Sequence, residues 1–94
     1  MRVRFYTDPE TGYPHIHNHE VAEYEVEQIL ASPGEDRPGR EGSRIAIGQT
    51  DEGRYLRVIY VPEAATDRLL VVTAYELRGK PLTAYRRRSR RRKR

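Results

Sequence analysis

The sequence predicts an α+β domain: a small antiparallel β-meander packed on an N-terminal helix, followed by a basic C-terminal helix or tail. Three observations lead there. Residues 44–77 hold three β-branched and aromatic runs, separated by turn-forming segments at Asp51–Gly53 and Pro62–Asp67. Ala22, Val26, Ile29 and Leu30 recur at i, i+4, i+7 and i+8, the apolar stripe of an amphipathic helix, with Glu20, Glu23, Glu25 and Glu27 on its other sides. Residues 86–94 are Arg or Lys at every position except Ser89.

Taken in order, Arg2 to Tyr6 alternates apolar and polar and reads as a short first strand at a sheet edge. Asp8-Pro9-Glu10-Thr11-Gly12 is turn chemistry. Tyr13 to His19 suits a single helical turn with Pro14 at its start. Ser32-Pro33-Gly34 ends the following helix, and the charged, glycine-containing residues 35–43 form a loop or weak edge strand. The second and third runs of the meander carry large apolar residues on both faces, which makes them central strands. Gly48, inside the first run, marks a candidate bulge. After Arg78-Gly79-Lys80-Pro81, a last helix spans Leu82 to Arg88, and the like-charge run beyond Ser89 frays.

Period-two parity divides the sheet. Leu56, Val58 and Tyr60 with Leu70, Val72 and Ala74 form the expected helix-covered core face. Tyr55, Arg57, Ile59 and Val61 with Leu69, Val71, Thr73 and Tyr75 form a partly open working face. A shift of one residue in register exchanges the two sets.

Ninety-four residues, 36% hydrophobic and 34% charged, give one domain (1–85) with one modest core and a basic, flexible tail (86–94). Without cysteine there is no disulfide scaffold, thiolate metal site or thiol nucleophile, and the chain fits a reducing compartment; the expected location is cytoplasmic. No apolar run is long enough to span a bilayer and no signal peptide opens the chain, so no membrane association is expected. The net charge of +4 conceals a division: residues 86–94 hold eight of the eighteen bases and no acid, leaving ten bases against fourteen acids in residues 1–85, a net of −4. Such asymmetry concerns partners rather than fold.

The order of short motifs resembles the BrnT-type toxins and their relatives of the DUF4258 kind, within the RelE-like ribonuclease superfamily. Asp8-Pro9 stands where the family has its opening Asp-Pro, and Asn18-His19-Glu20-Val21-Ala22 where it has Lys-His-Gly-Val-Ser. Glu25 to Leu30 is similar to the family's E-V-E-x-V-L helix, and Gly53 to Tyr60 to its G-R-x-L-x-V-V-Y strand. Val72-Thr73-Ala74-Tyr75 replaces I-T-A-R, and Tyr85 to Arg88 stands at the arginine-rich end. Three family cations are missing, at Thr11, Asn18 and Tyr75. The resemblance covers roughly residues 6–88. It implies a metal-independent endoribonuclease that cleaves mRNA, needs no cofactor and is neutralised by a cognate antitoxin.

RNA cleavage requires a base for the 2′-hydroxyl, charge stabilisation of the phosphorane and an acid for the leaving 5′-oxygen. By resemblance, His19 or Tyr75 transfers protons, Arg57 and Arg54 hold the phosphate and Lys80 supports them. Against this stands the reading of Arg57 and Tyr75 as ordinary strand residues covering apolar surface. For His19, a buried hydrogen-bonding hub between helix and sheet competes with catalysis. His15, His17 and His19 would share a face only in a strand; no metal site is expected from them. In the tail, Arg86, Arg87, Arg88, Arg90, Arg91, Arg92, Lys93 and Arg94 suit phosphate contacts that weaken with salt. A solvated terminus, or docking on an acidic antitoxin or an anionic lipid surface, are the alternatives. Two further functions compete with the toxin: a non-catalytic RelE-like nucleic-acid-binding module using the tail, and a protein-interaction domain that forms a homodimer through an exposed edge strand.

Overall fold

A computed structural model of the chain describes residues 2–92, with only the backbone of Arg92. The expected roles of Lys93, Arg94 and the Arg92 side chain therefore lie outside the described residues. Strand β1 (Arg2–Phe5) leads through a 3-10 helix (His15–His19) into α1 (Glu23–Ala31). Strands β2 (Glu35–Pro38), β3 (Arg44–Gln49), β4 (Tyr55–Glu63) and β5 (Arg68–Glu76) follow, and α2 (Gly79–Arg92) ends the described chain. The five strands form one sheet in the order β1-β5-β4-β3-β2.

Strands β2 to β5 are the expected antiparallel meander, lengthened by residues 35–38 as a charged edge strand. The sheet as a whole is mixed, because β1 lies parallel to β5. A parallel neighbour needs a crossover rather than a hairpin, and the long stretch from Tyr6 to Asp67 supplies it.

One core cluster joins Ile16, Val21, Val26, Ile29 and Leu30 to Leu56, Val58, Tyr60, Val71 and Ala74, so α1 packs on the face holding the first parity set of β4. Glu25 caps α1 by accepting the Ala22 N–H at 3.0 Å, the reciprocal half of a capping box. Gly48 is no bulge. An added Cβ there would stand 3.3 Å from Ile29 Cδ1 and 3.5 Å from Gly34 N, so glycine lets α1 approach β3 closely.

The bulge lies in β5. Ile59 pairs with Thr73 but Tyr60 pairs with Val71, leaving Val72 outside the ladder. The extra residue reverses the parity of the strand. Val71 is consequently fully buried while Val72 is 36% exposed, which corrects the expected placement of Leu70 and Val72 in the core. Strand β4 also continues past Pro62 to Glu63, where a turn was expected. Beyond Tyr60 only β5 flanks it, and an edge accommodates a residue without an N–H.

The second face is not left free. Ile47, Leu77 and Tyr85 form a second cluster with Ile45, Tyr55 and Leu82, so α2 covers the β3 side of the expected working face. The helix starts at Gly79 and continues through Arg92 rather than fraying at Ser89. Leu82, Tyr85 and Arg88 recur at intervals of three, one face of the helix. Leu82 and Tyr85 enter the cluster, and the Arg88 guanidinium forks onto the Glu35 carboxylate at 2.5 and 3.1 Å.

Candidate functional site

Arg57 and Tyr75 are direct cross-strand partners, and Ile59 and Thr73 form the next pair. All four side chains share the sheet face opposite Leu56, Val58 and Ala74. Arg57 Nε and Thr73 Oγ1 are buried without a hydrogen-bond partner. An unpaired polar atom inside a fold is costly, and two on neighbouring rungs of one ladder mark this surface as unusual.

The 3-10 helix brings His19 to the same place. Its ring centroid lies 5.9 Å from that of Tyr75, edge to face, and 5.4 Å from that of His15. His15 in turn stands 6.3 Å from Tyr6, so rings run without a break from Tyr6, just beyond β1, to Tyr75. The Asp8-Pro9 turn anchors this segment. Asp8 Oδ1 accepts the Glu10 N–H at 2.9 Å, and Oδ2 accepts from the Asn18 side chain at 3.1 Å. These donors, the Glu10 N–H first, hold the Asp8 carboxyl below the usual carboxylate range. His19 is exposed, not the buried hub that helix-to-sheet packing suggests, because Ile16 is the residue that points into the core. Among the described residues no three His, Asp or Glu side chains converge as metal ligands.

Arg54 takes no part in this surface. Its position two residues before Leu56 turns it toward α1. There Nη1 donates to Glu25 Oε1 at 2.9 Å and to the Glu20 carbonyl at 2.7 Å, while Nε donates to Glu76 Oε1 at 2.8 Å. The Arg54 hydrogen bond is the main reason the Glu76 carboxyl lies below its usual range. Expected to hold phosphate, Arg54 instead ties the 3-10 helix, α1 and β5 together. Lys80 is exposed in the first turn of α2, and no described contact brings it to Arg57 or Tyr75.

The basic helix divides residue by residue. Arg88 is committed to Glu35, whose side chain is only 8% exposed. The Arg86 guanidinium lies 5.8 Å from the centre of the Tyr55 ring, within cation–π range. Arg87, Arg90 and Arg91 make no ion pair with any described residue. Elsewhere Arg4 pairs with Glu63, Arg44 with Asp36 and Arg78 with Glu76. Much of the body's positive charge is thus neutralised locally, while most of that on α2 is not.

Beside this helix a groove of about 520 Å³ opens between α2, the end of β3 and the segment after α1. Gln49, Tyr55, Tyr85, Arg86, Ser89 and Arg90 line it. Reading the sequence singled out Arg86 and Arg90 but missed Gln49, Tyr85 and Ser89. Tyr85 carried a signal, since it stands three residues from both Leu82 and Arg88. Glu35 carried none, because its partner is 53 positions away.

No helix among the described residues is long and apolar enough to cross a membrane. No family model, no curated protein and no solved structure matches this chain.

Proposed function

We propose that this chain is a small RNA-binding protein that cleaves single-stranded mRNA without metal, in the manner of BrnT-type and other RelE-like toxins, and that a cognate antitoxin restrains it. One observation carries the proposal: Arg57 and Tyr75 are paired across adjacent strands on one face, with the His19 ring against Tyr75. A guanidinium, a phenol and an imidazole supply the groups that phosphodiester transfer requires. Arg57 stabilises the negative charge that grows on the phosphorane oxygens. His19, exposed to solvent, and Tyr75 exchange protons with the 2′-hydroxyl and the leaving 5′-oxygen. Arg54 has no role, being held in ion pairs, and the free cations of α2 draw the polyanion to the surface.

The test is degradation of a labelled single-stranded RNA by purified protein, with and without chelator. Cleavage that persists in chelator, and that falls at least 100-fold in Arg57→Gln and Tyr75→Phe while both variants melt near the parent, is the expected result. RNA that stays intact with the parent protein, or variants that cut at the parental rate, would overturn the assignment. A cognate antitoxin is expected to cover Arg57 and Tyr75 and to abolish cleavage on binding.

A non-catalytic role in binding RNA through α2 is favoured by two observations: Arg57 Nε is buried, and Arg54 is unavailable. It predicts binding that collapses between low and moderate salt and that disappears with residues 86–94, without any cleavage. Of the two sheet edges, β1 and β2, pairing through β2 finds little support. The β2 edge reads Glu-Asp-Arg-Pro, and charge with proline discourages strand addition.

A further inference from the structure

We propose that the groove between α2 and the end of β3 binds a single nucleotide unit, its phosphate bridged by Arg86 and Arg90 and its base set among Tyr55, Gln49 and Ser89. This rests on the reading of the chain as an RNA-binding protein, but not on cleavage. Four observations converge on it. The volume, about 520 Å³, is that of a small-ligand site. None of its lining residues is acidic, so nothing there repels phosphate. The neighbouring groove, of about 450 Å³, is lined by Glu35 and Asp36 as well as Arg37 and Arg88, and its bases are already answered by acids. Lastly, Arg86 and Arg90 are four residues apart on α2, hence adjacent on one helix face, and neither makes an ion pair with a described residue.

The phenols supply the rest. Tyr55 and Tyr85 meet edge to face at 6.1 Å, and Arg86 lies over the Tyr55 ring. A phenol ring with a guanidinium above it offers a base both a π-face and a cation, while the forked nitrogens of arginine suit phosphate oxygens. The Gln49 side-chain N–H donates to the Gly53 carbonyl at 3.2 Å, which fixes the amide and leaves its oxygen to accept from a base. Tyr55 precedes Arg57 by two residues on the same face of β4, so the groove opens one pleat, about 7 Å, from the proposed cleavage centre. A strand seated here is delivered to Arg57.

The α2 helix provides an internal control. Arg87 and Arg91 have the same spacing and charge but do not line the groove. Binding of a fluorescent 2′-O-methyl hexanucleotide, which resists cleavage at the 2′-oxygen, is measured at fixed salt for the parent, Arg86→Gln/Arg90→Gln and Arg87→Gln/Arg91→Gln. Circular dichroism checks that each variant is folded. The groove pair is expected to lose at least roughly ten-fold in affinity and the control pair less than about three-fold. Equal losses would overturn the proposal, since α2 would then act only as diffuse charge. Nucleoside monophosphate is titrated in parallel. A hexanucleotide at least roughly ten-fold tighter assigns the unit to an RNA chain, whereas equal affinities assign it to a free nucleotide; both support the groove. Saturable binding of neither probe overturns it. Because the oligonucleotide cannot be cut, failure of the nuclease assignment leaves this measurement intact.

Discussion

Replacing Arg54 by alanine tests whether this side chain is a structural tie or a phosphate ligand. Its guanidinium bonds two carboxylates and one carbonyl, contributed by α1, β5 and the end of the 3-10 helix. Glu25 is the acid most harmed by its removal, with a side chain only 9% exposed. It keeps the Ala22 N–H but loses its countercharge. Breaking a buried pair from one side costs about 3–5 kcal/mol. Glu76, a third exposed, adds no more than about 1 kcal/mol. Arg54 itself is 26% exposed, so water screens part of the loss, and about 3 kcal/mol is the resulting expectation. For a domain of this size that lowers Tm by about 12–24 °C. Thermal melts at pH 7 read the effect, and binding of the uncleavable oligonucleotide to the folded variant, at a temperature below its transition, should match the parent. Arg54→Met/Glu25→Gln should recover part of the loss, because the stranded charge is gone. A fall in Tm under about 3 °C together with roughly ten-fold weaker RNA binding would refute the reasoning and return Arg54 to the phosphate.

Three further outcomes are expected. Gly34→Ala places a Cβ 1.9 Å from the Tyr85 hydroxyl and should destabilise by about 1–3 kcal/mol; adding Tyr85→Phe, which leaves the nearest ring carbon at 3.0 Å, should restore part of it in urea melts. Glu35→Ala frees Arg88 and should raise amide hydrogen exchange along α2 well before that of β4, since this fork is the tie between the helix and the β2 edge. The carboxyls of Glu63 and Glu76 are held below their ordinary value of 4.5 chiefly by hydrogen bonds from Arg4 and Arg54. Their contribution to stability is complete above that pH and is lost as pH falls through the depressed folded values, so the difference in melting temperature between the parent and Glu63→Gln/Glu76→Gln should be constant from pH 7 to 5 and shrink only below about 4.5.

Local signals in the sequence were sufficient for the meander, for α1 and for placing Arg57 and Tyr75 on one face, whereas their direct pairing across β4 and β5 is read only from the structure. Alternation, turn residues and the 3.6-residue stripe are properties of neighbours in the chain. Four features escaped because their causes are distant or come from a single residue. The parallel docking of β1 depends on a partner more than sixty positions away. The second face appeared open because the charge of residues 86–92 masked the short Leu82–Tyr85–Arg88 face that covers it. Parity counting also assumed an unbroken β5. Downstream of Val72 it placed Thr73, Ala74 and Tyr75 correctly, and upstream it interchanged inside and outside. In the same way Arg54, chosen for its motif, proved to be held by carboxylates from two other elements.

The surplus residue in β5 gives the strand a tolerance that is rare in a sheet interior. Excising Val72 would splice Val71 directly to Thr73, and each would keep the orientation and the β4 partner it already has. A deletion at most other interior positions would turn a hydrophobic row outward. The shortened chain should therefore fold, with a straighter and less twisted β5. Any change in how it handles RNA would then report on the curvature of the surface, with Arg57, Thr73, Tyr75 and His19 all still present.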